Sequence, residues 1–233
     1  MTTNPSPGRW AVPALFAAAA IGTGIHAAGP VGNALAHPGA RPWLVALYGL
    51  LRTAVASAFA LFTVGRTAPR QPSRNPVAFA ACAVAMGAVV AFGDPPASAP
   101  QAVVLTGDLI AVGFCVWLLI SVLFLGRCFG VLPEARGLVT HGPYGVVRHP
   151  VYLGEIGACV GLAIAAPTIV NAALMSALVA AQVTRMKLEE RALSSAFPEY
   201  ASYSKVVPRV VPSISAVWPA RGLSESRRTA RPT

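Results

Sequence analysis

Six apolar runs separated by polar loops constrain this chain more than any other feature. They cover Trp10–Ala28, Trp43–Val64, Val77–Phe92, Val103–Leu125, Val151–Ala166 and Thr168–Val183. The hydrocarbon core of a bilayer needs about 20 apolar residues of helix, so the runs read as membrane spans. The third is short and crosses only if its flanks extend it or the bilayer thins. Only 11% of residues are charged and the mean hydropathy is +0.61, whereas a soluble domain carries about 25% charged residues. The fold class this predicts is all-α, a polytopic transmembrane helical bundle of about six spans. Pro167 separates the last two runs, and so short a connection predicts a tight helical hairpin. The first run follows Arg9 in the manner of a signal peptide. It is long for the apolar region of one, and further spans follow, so it reads as a span.

The formal charge of +10 does not point to nucleic acid, because the basic residues form no single patch interleaved with aromatics. They sit in alternate loops. Arg9, then Arg66, Arg70 and Arg74, then Arg127, Arg136 and Arg148, then the basic tail share one side, and Arg41 falls on the other. Basic loops face the cytosol. The expected location is the bacterial inner (cell) membrane, with both termini cytosolic. Within the spans, Arg52 pairs with Asp108 or contacts a substrate or headgroup. Glu155 is a functional acid or the partner of Arg52 or Arg148. The cysteines Cys82, Cys115, Cys128 and Cys159 lack metal-ligand spacing and read as buried free thiols, and no metal site is expected.

Between the fourth and fifth runs lies a polar stretch, Gly137 to Tyr152, that carries two His, one Arg and two Tyr. Gly142-Pro143 and His149-Pro150 restrict its backbone. Pro150 suits the first turn of a helix, whose free N–H groups form a site for a carboxylate. His141 reads as a structural histidine. A second polar cluster, Arg185-Met-Lys-Leu-Glu-Glu-Arg191, follows the sixth run on a helix that leaves the membrane. Arg185 and Glu189 share a helix face, either as a solvated ion pair or as part of a site. The topology returns this cluster to the same cytosolic side as the central stretch.

The pieces Leu138-Val-Thr-x-Gly-Pro-Tyr144, Arg148-His-Pro-x-Tyr152-x-Gly154, Glu189-Glu190-x-x-Leu193 and Phe197-Pro-Glu-Tyr200 stand in this order. In that order and spacing they resemble the isoprenylcysteine carboxyl methyltransferases and their phospholipid methyltransferase relatives over about residues 117–212. The resemblance implies an integral membrane enzyme that uses S-adenosylmethionine. It implies cofactor contacts by Arg136, Gly137, Leu138, Val139, Tyr144, His149, Pro150, Val151, Tyr152, Glu189 and Glu190. It implies a substrate-facing role for Arg185; Glu155, an acid at membrane depth, is a second catalytic candidate on that ground alone. The chain then divides into N-terminal spans (1–100) and a methyltransferase core (101–212), and the Ser- and Arg-rich composition of 213–233 predicts a disordered basic tail.

The chemistry accords with that resemblance. An acid can bind ribose hydroxyls, and in-line methyl transfer depends on alignment. A carboxylate acceptor is already ionised, and Arg185 can orient it. An amine acceptor must lose a proton, for which Glu155 or His149 is placed. Carboxyl O-methylation of a prenylcysteine-like lipid, N-methylation of a phospholipid amine and S-methylation of a thiol all stay open. The expected partner is a lipophilic acceptor entering from the bilayer. A non-enzymatic transporter or assembly protein is the alternative of another class.

Overall fold

A computed structural model describes residues 10–70 and 75–212. The tail 213–233, expected to be disordered, lies outside the described residues. Among those described there are helices and no strand. They are α1 (Ala11–Ala36), α2 (Ala40–Val64), α3 (Pro76–Ala91), α4 (Gln101–Leu125), α5 (Pro143–Val146), α6 (Pro150–Ala165), α7 (Ile169–Ala196) and α8 (Tyr200–Val206). Helices α1, α2, α4 and α7 are long and apolar enough to cross a membrane, and the chain is an integral membrane protein. Helices α3 and α6 have 16 residues each. At 1.5 Å per residue that is about 24 Å, short of a hydrocarbon core of about 30 Å.

Helices α1, α2, α3, α4, α6 and α7 run alternately between two ends of the bundle. At one end Arg41 meets Asp108 at 3.6 Å, and Asn171 Oδ1 accepts the N–H of Gly93 at 3.0 Å. At the other end Thr67 N donates to Arg127 O at 3.0 Å, and the Arg70 side chain donates to Ala196 O at 3.1 Å. The polar stretch after α4 and the polar end of α7 therefore share one end, as the topology predicts.

Helices α4 and α6 form the closest seam, and glycine makes it possible. A Cβ on Gly161 would lie 2.4 Å from Ala111 N and 2.6 Å from Gly107 O. On Gly157 it would meet the Phe114 ring at 2.2 Å, and on Gly154 it would meet Leu118 Cβ at 2.7 Å. Small residues four apart let helix backbones approach in a membrane, where packing rather than solvent drives association. Helix α7 packs instead on α3, through Leu178 and Ala181 against Ala81, Ala85 and Ala88. The tight α6–α7 connection is thus present, but each arm packs chiefly on another helix.

Two expectations change. Helix α1 continues beyond Ala28 to Ala36 with Pro30 inside it. Lipid gives backbone groups no water to bond, so helices persist through a proline that would end them in solution. Arg52 does not pair with Asp108. Arg41, in the first turn of α2, takes that partner, and the Arg52 guanidinium lies 5.8 Å from the Tyr48 ring. Residues 41 and 52 stand on the same helix, about 16 Å apart along its axis at 1.5 Å per residue.

Candidate active site

The segment from Gly126 to His149 is held by backbone requirements that only glycine meets. Gly126 has φ +52° and Gly142 has φ +62°, a region L side chains rarely enter. A Cβ on Gly142 would also meet the Phe124 ring at 2.3 Å. Gly137 allows the chain to pass Cys128, whose Sγ would lie 2.5 Å from an added Cβ. The α2–α3 loop braces the segment, since Arg70 N donates to Ala135 O at 2.9 Å and the Arg136 guanidinium donates to Thr67 O.

The chain after α7 returns across this segment as a strap. Arg148 N donates to Pro208 O at 2.8 Å and His149 N to Arg209 O at 3.0 Å. Tyr203 Oη donates to Tyr144 O at 2.6 Å. The strap fixes His149 and Pro150 where α6 begins, so the predicted proline-led helix start is formed.

Together these elements enclose a cavity of about 240 Å³. Of the residues named from sequence, Gly137, Leu138, Val139, Tyr144, His149, Pro150, Val151, Tyr152, Glu155, Arg185 and Glu189 line it. Tyr152 Oη donates to Glu189 at 2.8 Å, and His149 Nδ1 lies 3.9 Å from the same carboxylate. His149 stacks on Tyr152 with ring centroids 5.4 Å apart, and the Arg185 guanidinium sits 4.9 Å from the centre of the Tyr152 ring. Glu189 keeps 30% of its side chain exposed. Burial, with the negative charge of Glu189 adding to it, pushes the Tyr144 phenol well above its ordinary pKa. Tyr144 is therefore a hydrogen-bond donor at neutral pH.

Deeper in the cavity, Arg185 donates to Gln182 Oε1 at 2.9 Å and to Val131 O at 3.2 Å. Glu155 lies 3.8 Å from Arg185 and accepts from the Gln182 amide. The partner of Glu155 is therefore Arg185, not Arg52 or Arg148. Arg185 faces Glu155 rather than forming the surface pair with Glu189 that spacing allows. Helix α6 turns Glu155 toward α7, and Arg185 reaches down the same wall.

Arg136 and Glu190 are not among the residues that line the cavity. Arg136 pairs with Glu134 at 2.6 Å, and both side chains are buried. Glu190 is not a solvated charge. Its carboxylate lies 3.2 Å from His149 Nε2 and 3.3 Å from Arg148, and it accepts from Arg209 Nε at 3.0 Å. That hydrogen bond also raises the pKa of Arg209. Glu190→Ala takes the carboxylate from the largely buried Arg148 and His149, and removal of one member of a buried pair is strongly destabilising. Discounted for the partial exposure of Glu190, the expected loss is about 2 kcal/mol. Arg209 is 47% exposed, so Arg209→Ala is expected to cost less than about 1 kcal/mol. Unfolding midpoints in detergent check this, and equal losses would contradict the assignment.

The apolar end of the cavity comes from helices to which the sequence assigned no role. Phe16 of α1 and Phe59 of α2 line it, as do Met86 and Val89 of α3. Phe59 stacks on Phe129 at 4.3 Å, and Phe16 meets both edge-on. No local pattern marks these residues, because any lipid-facing helix carries similar ones. Among the described residues no group of His, Cys, Asp and Glu is arranged to hold a metal ion.

Residues 101–200 match the phospholipid methyltransferase family, in agreement with the resemblance read from the motifs. The chain is 38% identical over 79 residues to the cobalt-zinc-cadmium resistance protein CzcN of Cupriavidus metallidurans, covering 34% of this chain and 37% of that protein. It is 34% identical over 83 residues to the nickel-cobalt-cadmium resistance protein NccN of Alcaligenes xylosoxydans xylosoxydans, covering 35% and 39%. The match thus spans little more than a third of the length of each of these relatives.

Proposed function

We propose that the cavity binds S-adenosylmethionine and that the protein transfers its methyl group to a lipophilic acceptor in the cytosol-facing half of the membrane. The observation that carries this reading is the meeting of two distant segments, through Tyr152 and Glu189 at 2.8 Å, over one cavity with a polar and an apolar end. The residues fit the cofactor. Glu189 has exposed oxygens for ribose hydroxyls. The N-terminus of α6 at Pro150 favours a carboxylate, and Tyr144 adds a donor. When bound, the cofactor supplies an electrophilic methyl group. The chain's own residues align the acceptor and exclude water.

The acceptor's reacting group belongs beside Arg185, and its apolar portion belongs against Phe16, Phe59 and Met86. A carboxylate there is oriented by Arg185, as in isoprenylcysteine carboxyl O-methylation. Glu155 at 3.8 Å from Arg185 favours a second reading, in which an amine or thiol gives its proton to Glu155. The transporter alternative loses ground, because Arg52, Asp108 and Glu155 have separate partners in Tyr48, Arg41 and Arg185.

The test is label transfer from radiolabelled S-adenosylmethionine into the lipids of sealed membrane vesicles. Inside-out vesicles are expected to label and right-side-out vesicles are not. Base-labile label identifies an ester, and stable label identifies an amine or thioether. Absence of label in inside-out vesicles holding folded protein, with prenylcysteine analogues and native lipids supplied, contradicts the proposal.

A further inference from the structure

Tyr200 presents a polar atom that the protein does not use. The residue is 3% exposed and lines the cavity. Its hydroxyl oxygen is buried and has no hydrogen-bond partner among the described residues. The neighbouring Tyr203 is different, because its hydroxyl donates to Tyr144 O at 2.6 Å. Their rings meet edge-to-face at 6.0 Å, so the two phenols share one packing unit and differ in what their oxygens do. A buried hydroxyl without a partner is destabilising, and native proteins rarely retain one without a reason. Tyr200 is fixed by the short helix α8, where its ring packs with Ala135 and Phe197. Phe at this position would make the same apolar contacts.

We infer that Tyr200 is a ligand-binding residue whose hydroxyl donates to the nucleoside portion of the methyl donor. This rests on the reading of the cavity as a cofactor site. The charges around the hydroxyl select the nucleoside over the amino-acid carboxylate. Glu189 and Glu190 both act on Tyr200, as do the cations Arg148 and Arg209, and both cations are already engaged by Glu190. A further carboxylate in that setting would meet the charge of Glu189, whose hydrogen-bond donor Tyr152 is uncharged, whereas an uncharged ribose or purine acceptor would not. Burial raises the phenol's pKa, so the oxygen keeps its proton at neutral pH.

The experiment compares wild-type protein, Tyr200→Phe and Tyr203→Phe in detergent. Calorimetry measures the binding of S-adenosylhomocysteine and of 5′-methylthioadenosine, which lacks the amino-acid carboxylate. Tyr200→Phe is expected to weaken both ligands about tenfold. The ligand-free protein should unfold at the same midpoint as wild type or higher, because an unpaired polar atom has been removed. Tyr203→Phe should lower that midpoint, because a made hydrogen bond has been lost. Unchanged affinity in Tyr200→Phe overturns the inference. So does weakening confined to S-adenosylhomocysteine, or a ligand-free Tyr200→Phe protein less stable than wild type, since its hydroxyl would then have a partner within the protein. Wild-type protein that binds neither ligand contradicts the cofactor site itself, a separate and recognisable failure.

Discussion

Glu189→Ala is expected to weaken S-adenosylhomocysteine binding by about a hundredfold, measured by calorimetry in detergent. The size follows from what the carboxylate offers. It lies on the wall of the cavity with 30% of its side chain exposed, and it accepts one uncharged donor, Tyr152 Oη, at 2.8 Å. Hydrogen bonds to a charged group contribute about 1.5–3 kcal/mol each, and a ribose diol can supply two. A loss of about 3 kcal/mol corresponds to about a hundredfold in affinity. Loss of fold is a separate effect and is read from the unfolding midpoint of the ligand-free variant. Unchanged affinity in a folded Glu189→Ala protein would remove this residue from the site.

Gly161→Ala is expected to cost about 3 kcal/mol or more of stability and to abolish activity. The added methyl group would sit 2.4 Å from Ala111 N and 2.6 Å from Gly107 O. Both atoms are backbone, so no side chain can rotate away, and α4 must move off α6. That displacement would carry Tyr152 and Glu155, which lie on α6 and line the cavity. Gly113, on α4, faces open space, with no atom within 4 Å of the point where an added methyl group would stand. Gly113→Ala is therefore the control and should be neutral or slightly stabilising, since alanine favours helix. The midpoint of SDS-induced unfolding measures both. Equal midpoints for the two variants would contradict the close seam.

The helices and one wall of the site were legible in the sequence, for identifiable reasons. The apolar runs translate directly into spans because in lipid a helix satisfies its backbone groups within the segment itself. The polar stretch from Gly137 to Tyr152 announced itself by its proline and glycine pairs, and the structure confirms the turn at Gly142 and the helix start at Pro150. Pairings between distant segments were less legible. Spacing on α7 put Arg185 with Glu189, yet Arg185 turns to Glu155, 30 residues earlier in the chain. Arg209 carried no signal, because a lone arginine in a Val- and Pro-rich segment has no period to reveal its partner. Its bond to Glu190 also explains why the second acid of the Glu-Glu pair stands behind the first. Tyr200 lay in a recognised motif, but only burial without a partner marks its hydroxyl.

Equilibrium binding of tritiated S-adenosylmethionine to the purified, folded wild-type protein tests the central claim most directly. The account predicts saturable binding of one molecule per chain, displaced by S-adenosylhomocysteine. No saturable binding, in a preparation whose cooperative unfolding shows that the bundle is intact, would contradict it.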